Sequence, residues 1–490
     1  DVVEANRIPD GLSDALPELI RYASCGEASC EPARLEDEDL SFDLGIQERA
    51  RHAGRFSGTR RGLENEARAG RRERSDDIGK DLVDREGSEL HRDDVPYSHR
   101  RDMGKASPGD RIWKERNQYA DRDHGSGRAV LRLRCSHVRV ADHAPLAPLT
   151  TLRLGGSASR LVTVEREADV LECVRAVDEA SGRLLVLGGG SNLVIADAGF
   201  DGTVVAMATR GISSVVEGDG RTVSCTVKAG VAWDDFVDAM VGEGLAGIEC
   251  LSGIPGLAGA VPIQNVGAYG QDASQTVLRV RAYDRKLREI VELRREACAF
   301  AYRTSVFRGN HRYVLLDVTF ALERSAESRP IRYAELARAL GVAEGGTAPL
   351  ATVRQAVIAL RRNKGMVLDP SDPDTRSAGS FFTNPILDDG ALEALRRRAR
   401  GAETVAVFPE SNNRYKVSAA WLIERAGFPK GFAGEGGRVA VSRKHALALT
   451  TRSGASTQDL VRLARTIRDG VWGRFGVMLE NEPVFVGVQL

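Results

Sequence analysis

Two glycine-rich runs constrain this 490-residue chain more than anything else in it. GGGSN at 188–192 follows an apolar stretch, RLLVL at 183–187, and GIPGLAGAVPIQNVGAYG spans 253–270. Only glycine lets a backbone come close to a pyrophosphate with several N–H donors turned on it and no Cβ in the way. A dinucleotide is the natural guest for such loops. Neither run is a Walker loop, because no GK[ST] follows, and neither is GxGxxG with a ribose-binding acid behind it, so the doubly wound dinucleotide fold is excluded. Taken singly, each cluster is equally compatible with glycines that only shape tight turns.

The patterning around these loops is mixed. SRLVTV (159–164) reads as a strand, DVLECVRAVDEA (169–180) as an amphipathic helix, and RLLVLGGGSNLVI (183–195) as a strand entering a glycine turn, a βαβ-like start. Short strands follow at 202–207, 213–218 and 222–231, then a helix at 232–244 and strands at 277–284 and 313–322. Helices are expected at 352–364, 390–400, 418–427 and 457–476, and the chain closes on PVFVGVQL, read as a strand. This mixture argues for an α+β fold. No internal repeat is seen.

Composition separates the first segment from the rest. Of residues 1–140, 55 are charged, against 83 of the remaining 350, and Arg outnumbers Lys 23 to 3 there. Stretches such as RRERSDDIGKDLVDREGSELHRDD (71–94) have neither the helical nor the strand apolar period and bury too little to offset the entropy of ordering. Residues 1–140 are therefore expected to be disordered, or a translated upstream region with the true start near Met103 or Val138; the segment is no targeting peptide. Over the whole chain 69 basic residues balance 69 acidic ones, which removes any overall electrostatic argument for nucleic acid. No apolar run is long enough to span a bilayer. Seven cysteines without CxxC or metal-ligand spacing fit a reducing cytoplasm, and no metal site is expected.

APLTTLRLGGSA (147–158), LVLGGGSNLVIADAGFDGTVV (185–205), GIECLSGIPGLAGAVPIQNVGAYGQD (247–272), YRTSVFR (302–308), AGSFFTNP (378–385) and GVMLENEPVFVG (476–487) resemble, in order, the motifs of the UDP-N-acetylenolpyruvoylglucosamine reductase (MurB) family. The resemblance covers about residues 145–490 and leaves the first 140 without a counterpart. It implies an FAD-binding domain of the p-cresol-methylhydroxylase (PCMH) and vanillyl-alcohol-oxidase (VAO) type at 145–325, followed by a MurB-type α+β substrate-binding domain at 326–490. It also implies the chemistry: NADPH reduces FAD, which reduces the enolpyruvyl ether of a UDP-sugar to UDP-N-acetylmuramate, a step toward peptidoglycan.

Carried over residue by residue, the resemblance makes Ser380 the proton donor, Arg303 the cation on the substrate carboxylate and enolate, and Glu482 the catalytic acid. LENEP also offers Glu480, which period 2 in a strand would point the same way; the family pattern selects Glu482. Apart from the resemblance, Ser380 would be read as a turn or helix cap and Arg303 as solvent-exposed. Tyr302, Tyr333, Lys364 and Asn384 match substrate-binding positions, with Tyr333 as a lid tyrosine. Lys364 alone reads as the end of a basic helix, and Tyr302 equally as core packing.

On the flavin side the carry-over gives Gly188, Gly189, Gly190, Ser191 and Asn192 from the first loop, and Gly253, Ile254, Pro255, Gly256, Gly259, Ala260, Gln264, Asn265, Val266, Gly267, Ala268 and Tyr269 from the second. None of the eight histidines is placed to act as a base; His445 lies in SRKHALALT, read as a strand. With no counterpart of the covalent-flavin His or Cys, FAD is expected to be non-covalent. Two other readings compete: an alcohol oxidase of the same fold, which would not need Arg303, Ser380 and Glu482 together, and a non-catalytic FAD- or UDP-sugar-binding protein, which would lose them.

Overall fold

Residues 138–399 and 404–490 are described by the structure, a computed structural model. The apolar run LLVL and the alternating ASRLVTV and FDGTVVAM form a four-stranded sheet in the order Arg139–Asp142, Ala158–Val164, Phe200–Met207, Leu184–Leu187. The first pair is antiparallel and the other two are parallel. Helix Glu167–Glu179 turns Val170, Cys173, Val174 and Val177 inward, the i, i+3, i+4, i+7 stripe of a core-facing helix. Phe200–Met207 inserts between the two strands that flank this helix, so they are not neighbours as a simple βαβ unit would have them. Arg139 and Val140 already pair with Thr163 and Val162, so the fold begins inside the segment expected to lie outside it. The rest of that expectation, up to residue 137, and Cys25, Cys30 and Cys135 fall outside the described residues.

A second, antiparallel sheet runs Glu289–Arg294, Val277–Asp284, Tyr313–Arg324, Thr222–Lys228, Ile212–Val216. Its centre is Tyr313–Arg324, buried along most of its twelve residues. Helix Trp233–Gly242 covers it with Trp233, Phe236, Val237 and Met240; the Trp233 and Phe236 rings lie 5.6 and 5.5 Å from that of Phe320. Fully burying a side chain of this size stabilises by roughly 1.5–3 kcal/mol. The two sheets share a core in which Val162, Val174 and Val205 meet Tyr283, Val314 and Leu316.

Helices Ala334–Leu340 and Leu350–Asn363 pack on Cys250 and Tyr269, beside the second glycine loop. Beyond them, helices Asp389–Arg398, Ala419–Arg425 and Thr457–Phe475 enclose a separate core, joined by a three-stranded sheet and the hairpin Val439–Val441/Leu449–Thr451. Leu152, Leu154 and Val194 enter this core from far upstream. Of PVFVGVQL only Val484–Val486 is strand, and it pairs in parallel with Leu193–Ile195, next to the first glycine loop. SRKHALALT is a turn leading into Leu449–Thr451, not a continuous strand: His445 Nδ1 accepts the Leu447 N–H at 3.1 Å and caps the turn. Among the described residues no helix is long and apolar enough to cross a membrane, and no acidic, His and Cys cluster could hold a metal. Cys173, Cys225, Cys250 and Cys298 are free and buried, and burial raises the Cys173 and Cys298 thiols to about 11.

Candidate active site

The two glycine loops meet backbone to backbone. Leaving strand Leu184–Leu187, the chain turns through Gly190 at φ +63°, where a Cβ would lie 2.0 Å from the Leu149 carbonyl. A Cβ on Gly189 would lie 2.7 Å from the Gly256 Cα, while one on Gly188 would meet only side chains at ordinary contact, 3.9 Å or more. Ser191 Oγ donates to the Pro255 carbonyl at 3.0 Å, and the Trp233 N–H donates to the Gly256 carbonyl at 3.0 Å. Gly189 is thus required by the backbone of the second glycine loop and Gly190 by that of Leu149 and Thr150, whereas Gly188 has room for a Cβ. The N–H groups of Gly189, Gly190 and Ser191 enter no backbone hydrogen bond among the described residues. Successive free N–H donors at the end of a strand fit the diphosphate of a flavin dinucleotide.

The rest of the second loop is tied down by its own side chains. Asn265, at φ +47°, donates from Nδ2 to the Ala301 carbonyl and accepts the Ser274 N–H, and Val266 exchanges backbone bonds with Val261 and Ala273. Gln264 faces elsewhere. Its Oε1 accepts from Asn192 Nδ2 at 2.7 Å, and its Nε2 lies 3.4 Å from Glu482 Oε1, so a polar chain runs from the first loop to the acid.

Arg303 and Glu482 face one another, Nε to Oε1 3.4 Å. Arg303 also donates to the carbonyls of Gly267 at 2.7 Å and Asn265 at 3.4 Å. It is the second central residue of a tight turn closed by Ala301 and Thr304, and its φ of +53° is a conformation that costs a side-chain-bearing residue about 1–2 kcal/mol. Burial pushes the Glu482 carboxyl up, and the cations Arg303 and Arg308 oppose this without cancelling it. Glu480 is exposed, so the two acids of LENEP have different surroundings. Their segment runs antiparallel to the serine motif: the Glu482 N–H donates to the Phe381 carbonyl at 2.9 Å and the Thr383 N–H to the Glu480 carbonyl at 3.0 Å. Ser380 is therefore one residue from the acid's own strand partner, half-buried, and caps no helix.

The four expected substrate residues divide into three places. Tyr302 is 40% exposed, its ring flanked by Arg303 at 5.5 Å and Lys416 at 5.3 Å, so it is not core packing. Tyr333 stands edge-on to Tyr269, centroids 5.3 Å apart. Lys364 lies 5.4 Å from the Tyr269 ring and pairs with Glu335; burial lowers its pKa, but the pairing outweighs this and the net direction is up. Asn384 stands apart from these: its Oδ1 accepts the Ala419 N–H at 2.9 Å, capping a helix, and its amide nitrogen remains to donate.

Sequence reasoning passed over three cations. Arg361, in RRNK, is half-buried, its enclosed Nε beneath Gly253 and unpartnered, and its pKa is drawn down to about 10 by desolvation. Lys416 carries no motif signal. Arg308 ends YRTSVFR and was visible in the motif. Burial, with Lys364, Lys430 and Arg361 nearby, holds His445 at about 4 and therefore neutral.

A family profile described as an FAD binding domain matches residues 158–293, and one described as the UDP-N-acetylenolpyruvoylglucosamine reductase C-terminal domain matches 370–486. A UDP-N-acetylenolpyruvoylglucosamine reductase of Thermobifida fusca is 56% identical over 356 residues, 71% of this chain and 99% of that protein. Its counterpart in Salinispora arenicola is 53% identical over 346 residues, covering 70% and 95%. The crystal structure of the Thermus caldophilus enzyme aligns with 71% of this chain and 98% of its own at 21% identity, with a TM-score of 0.48.

Proposed function

The chain belongs to the UDP-N-acetylenolpyruvoylglucosamine reductase family, and from that premise we propose that it is a UDP-N-acetylmuramate dehydrogenase of peptidoglycan synthesis, using NADPH to reduce the enolpyruvyl ether to the lactyl ether. Gly188–Asn192, with Gly253, Ile254, Pro255, Gly256, Gly259, Ala260 and Gln264–Tyr269, would hold FAD without a covalent link, and FAD would supply the hydride chemistry between NADPH and the methylene carbon of the substrate. Residues 145–325 serve the cofactor and lend Arg303 and Tyr302 to the substrate, and those from 326 hold the nucleotide sugar. Four free, buried thiols support a reducing compartment, the cytoplasm.

The chain's own residues handle charge and protons. Arg303 offers its guanidinium fork to the substrate carboxylate, where negative charge grows as the double bond is reduced. Glu482, its carboxyl pushed above the usual range by burial, hydrogen-bonds the same oxygens. Ser380 gives its proton to the carbon beside the carboxylate and regains one through solvent. Lys364 and Asn384 meet the diphosphate, with Tyr333 over it and Tyr302 beside Arg303.

The observation that carries this reading is the facing of Arg303 and Glu482, a cation and a half-buried acid, beside the glycine loops and the Ser380 segment. An anaerobic experiment tests it. The yellow protein is reduced with NADPH, UDP-N-acetylglucosamine enolpyruvate is added, and reoxidation is followed. Rapid reoxidation with UDP-N-acetylmuramate formed is expected, slowed roughly 10²–10⁴-fold in Ser380→Ala while reduction by NADPH is unchanged. Reduced flavin that ignores this substrate and turns over with oxygen alone would replace the reading with an oxidase.

A further inference from the structure

Arg308 sits where the segments bearing the cation and the acid converge. Its Nη1 donates to the Arg303 carbonyl at 2.8 Å, and its Nη2 lies 3.2 Å from the Asn481 carbonyl and 3.4 Å from that of Glu482. All three partners are main-chain oxygens, and Asn481 is 173 positions away in sequence, so no local turn brings them together. One rigid guanidinium spans them, which a point-like ammonium cannot do.

The left-handed turn at Arg303 gives this clamp its purpose. The second central position of such a turn is ordinarily glycine or asparagine, and an arginine stays there only where its surroundings hold it. The bond from Arg308 holds its carbonyl, while Asn265 and Gly267 hold its guanidinium. The same Arg308 fixes the backbone of the acid opposite. We infer that Arg308 is a positioning residue of this site: it locks the turn of Arg303 to the backbone of Asn481 and Glu482, so that Arg303 and Glu482 face the substrate as a preformed pair. The inference rests on the proposed roles of Arg303 and Glu482.

The groups facing the Glu482 carboxyl are Arg303, Arg308 and the neutral Gln264 amide, so the charge of Arg308 and its fork can be tested separately. Arg308→Lys keeps the charge and loses the fork; Arg308→Gln loses both. In flavin-loaded protein, both variants are expected to be reduced by NADPH at the wild-type rate. Reoxidation by UDP-N-acetylglucosamine enolpyruvate should slow at least tenfold in both, with kcat falling more than KM rises. The pH limb belonging to Glu482 should move up in Arg308→Gln and stay in Arg308→Lys. A wild-type reoxidation rate in Arg308→Lys would overturn the inference, as would loss of flavin and thermal stability with an unchanged rate per bound flavin. If the wild type itself fails to reoxidise, the functional reading falls and takes this inference with it; wild-type turnover with unaffected variants overturns the inference alone.

Discussion

Glu482 is held in a place that suits its proton better than its charge. A carboxyl whose folded pKa lies above its ordinary 4.5 stabilises the fold fully below that value and loses the contribution as pH rises through the folded pKa. Above that window the native protein carries a largely desolvated carboxylate that Arg303 and Arg308 only partly offset. Glu482→Gln, which keeps the shape and has no charge to bury, is therefore expected to raise Tm at pH 8, with the gain gone by pH 4, and to lose reoxidation by the enolpyruvyl substrate. Thermal melts of both proteins across that range check the sign; a variant less stable at pH 8 than at pH 4, relative to wild type, would reverse it. This is stability given up for chemistry, as active sites commonly show. The pairing of Arg303 with Glu482 was within reach of sequence because both sit in distinctive motifs. The clamp by Arg308 was not, since its partners are carbonyl oxygens, which every residue has.

At the scale of elements, the glycine loops separate two requirements that sequence merges. Gly189 and Gly190 are needed because another backbone is there, whereas a Cβ on Gly188 would meet side chains only at ordinary contact, so the packing of the chain itself does not require that glycine. Gly190→Ala should lower the stability of flavin-free protein by more than the roughly 1–2 kcal/mol of a left-handed alanine, since its Cβ also meets a carbonyl. Gly188→Ala should leave that stability within about 0.5 kcal/mol and weaken flavin retention. Urea melts of the stripped proteins and flavin titration distinguish the two; equal behaviour would mean that the loops have one job. The same contrast marks what periodicity could read. VLRVRAYD reads as a strand at its observed bounds, 277–284, because Arg279 and Arg281 alternate with the buried Val280 and Ala282. EIVELR at 289–294 was passed over, being an edge strand largely open to solvent, and Ala334–Leu340, two turns long, is too short to declare a period.

On the scale of the molecule, the chain's end completes its beginning. Val484–Val486 lies parallel to Leu193–Ile195, and the Val484 N–H donates to the Asn192 carbonyl at 2.9 Å. No local pattern could announce this pairing. Truncation after Pro483 strips a strand from the first glycine loop and leaves Glu482 at a frayed terminus. It is expected to cost the flavin and most of the activity while leaving the sheet centred on Tyr313–Arg324 folded, as judged by hydrogen exchange of its amides. Retention of flavin by the truncated protein would make the pairing incidental. Asn192 and Glu482 touch across 290 positions of sequence. Everything between Asn192 and Glu482 must therefore have left the ribosome before this contact can form, and a chain cut short of it would lack the strand beside its first glycine loop.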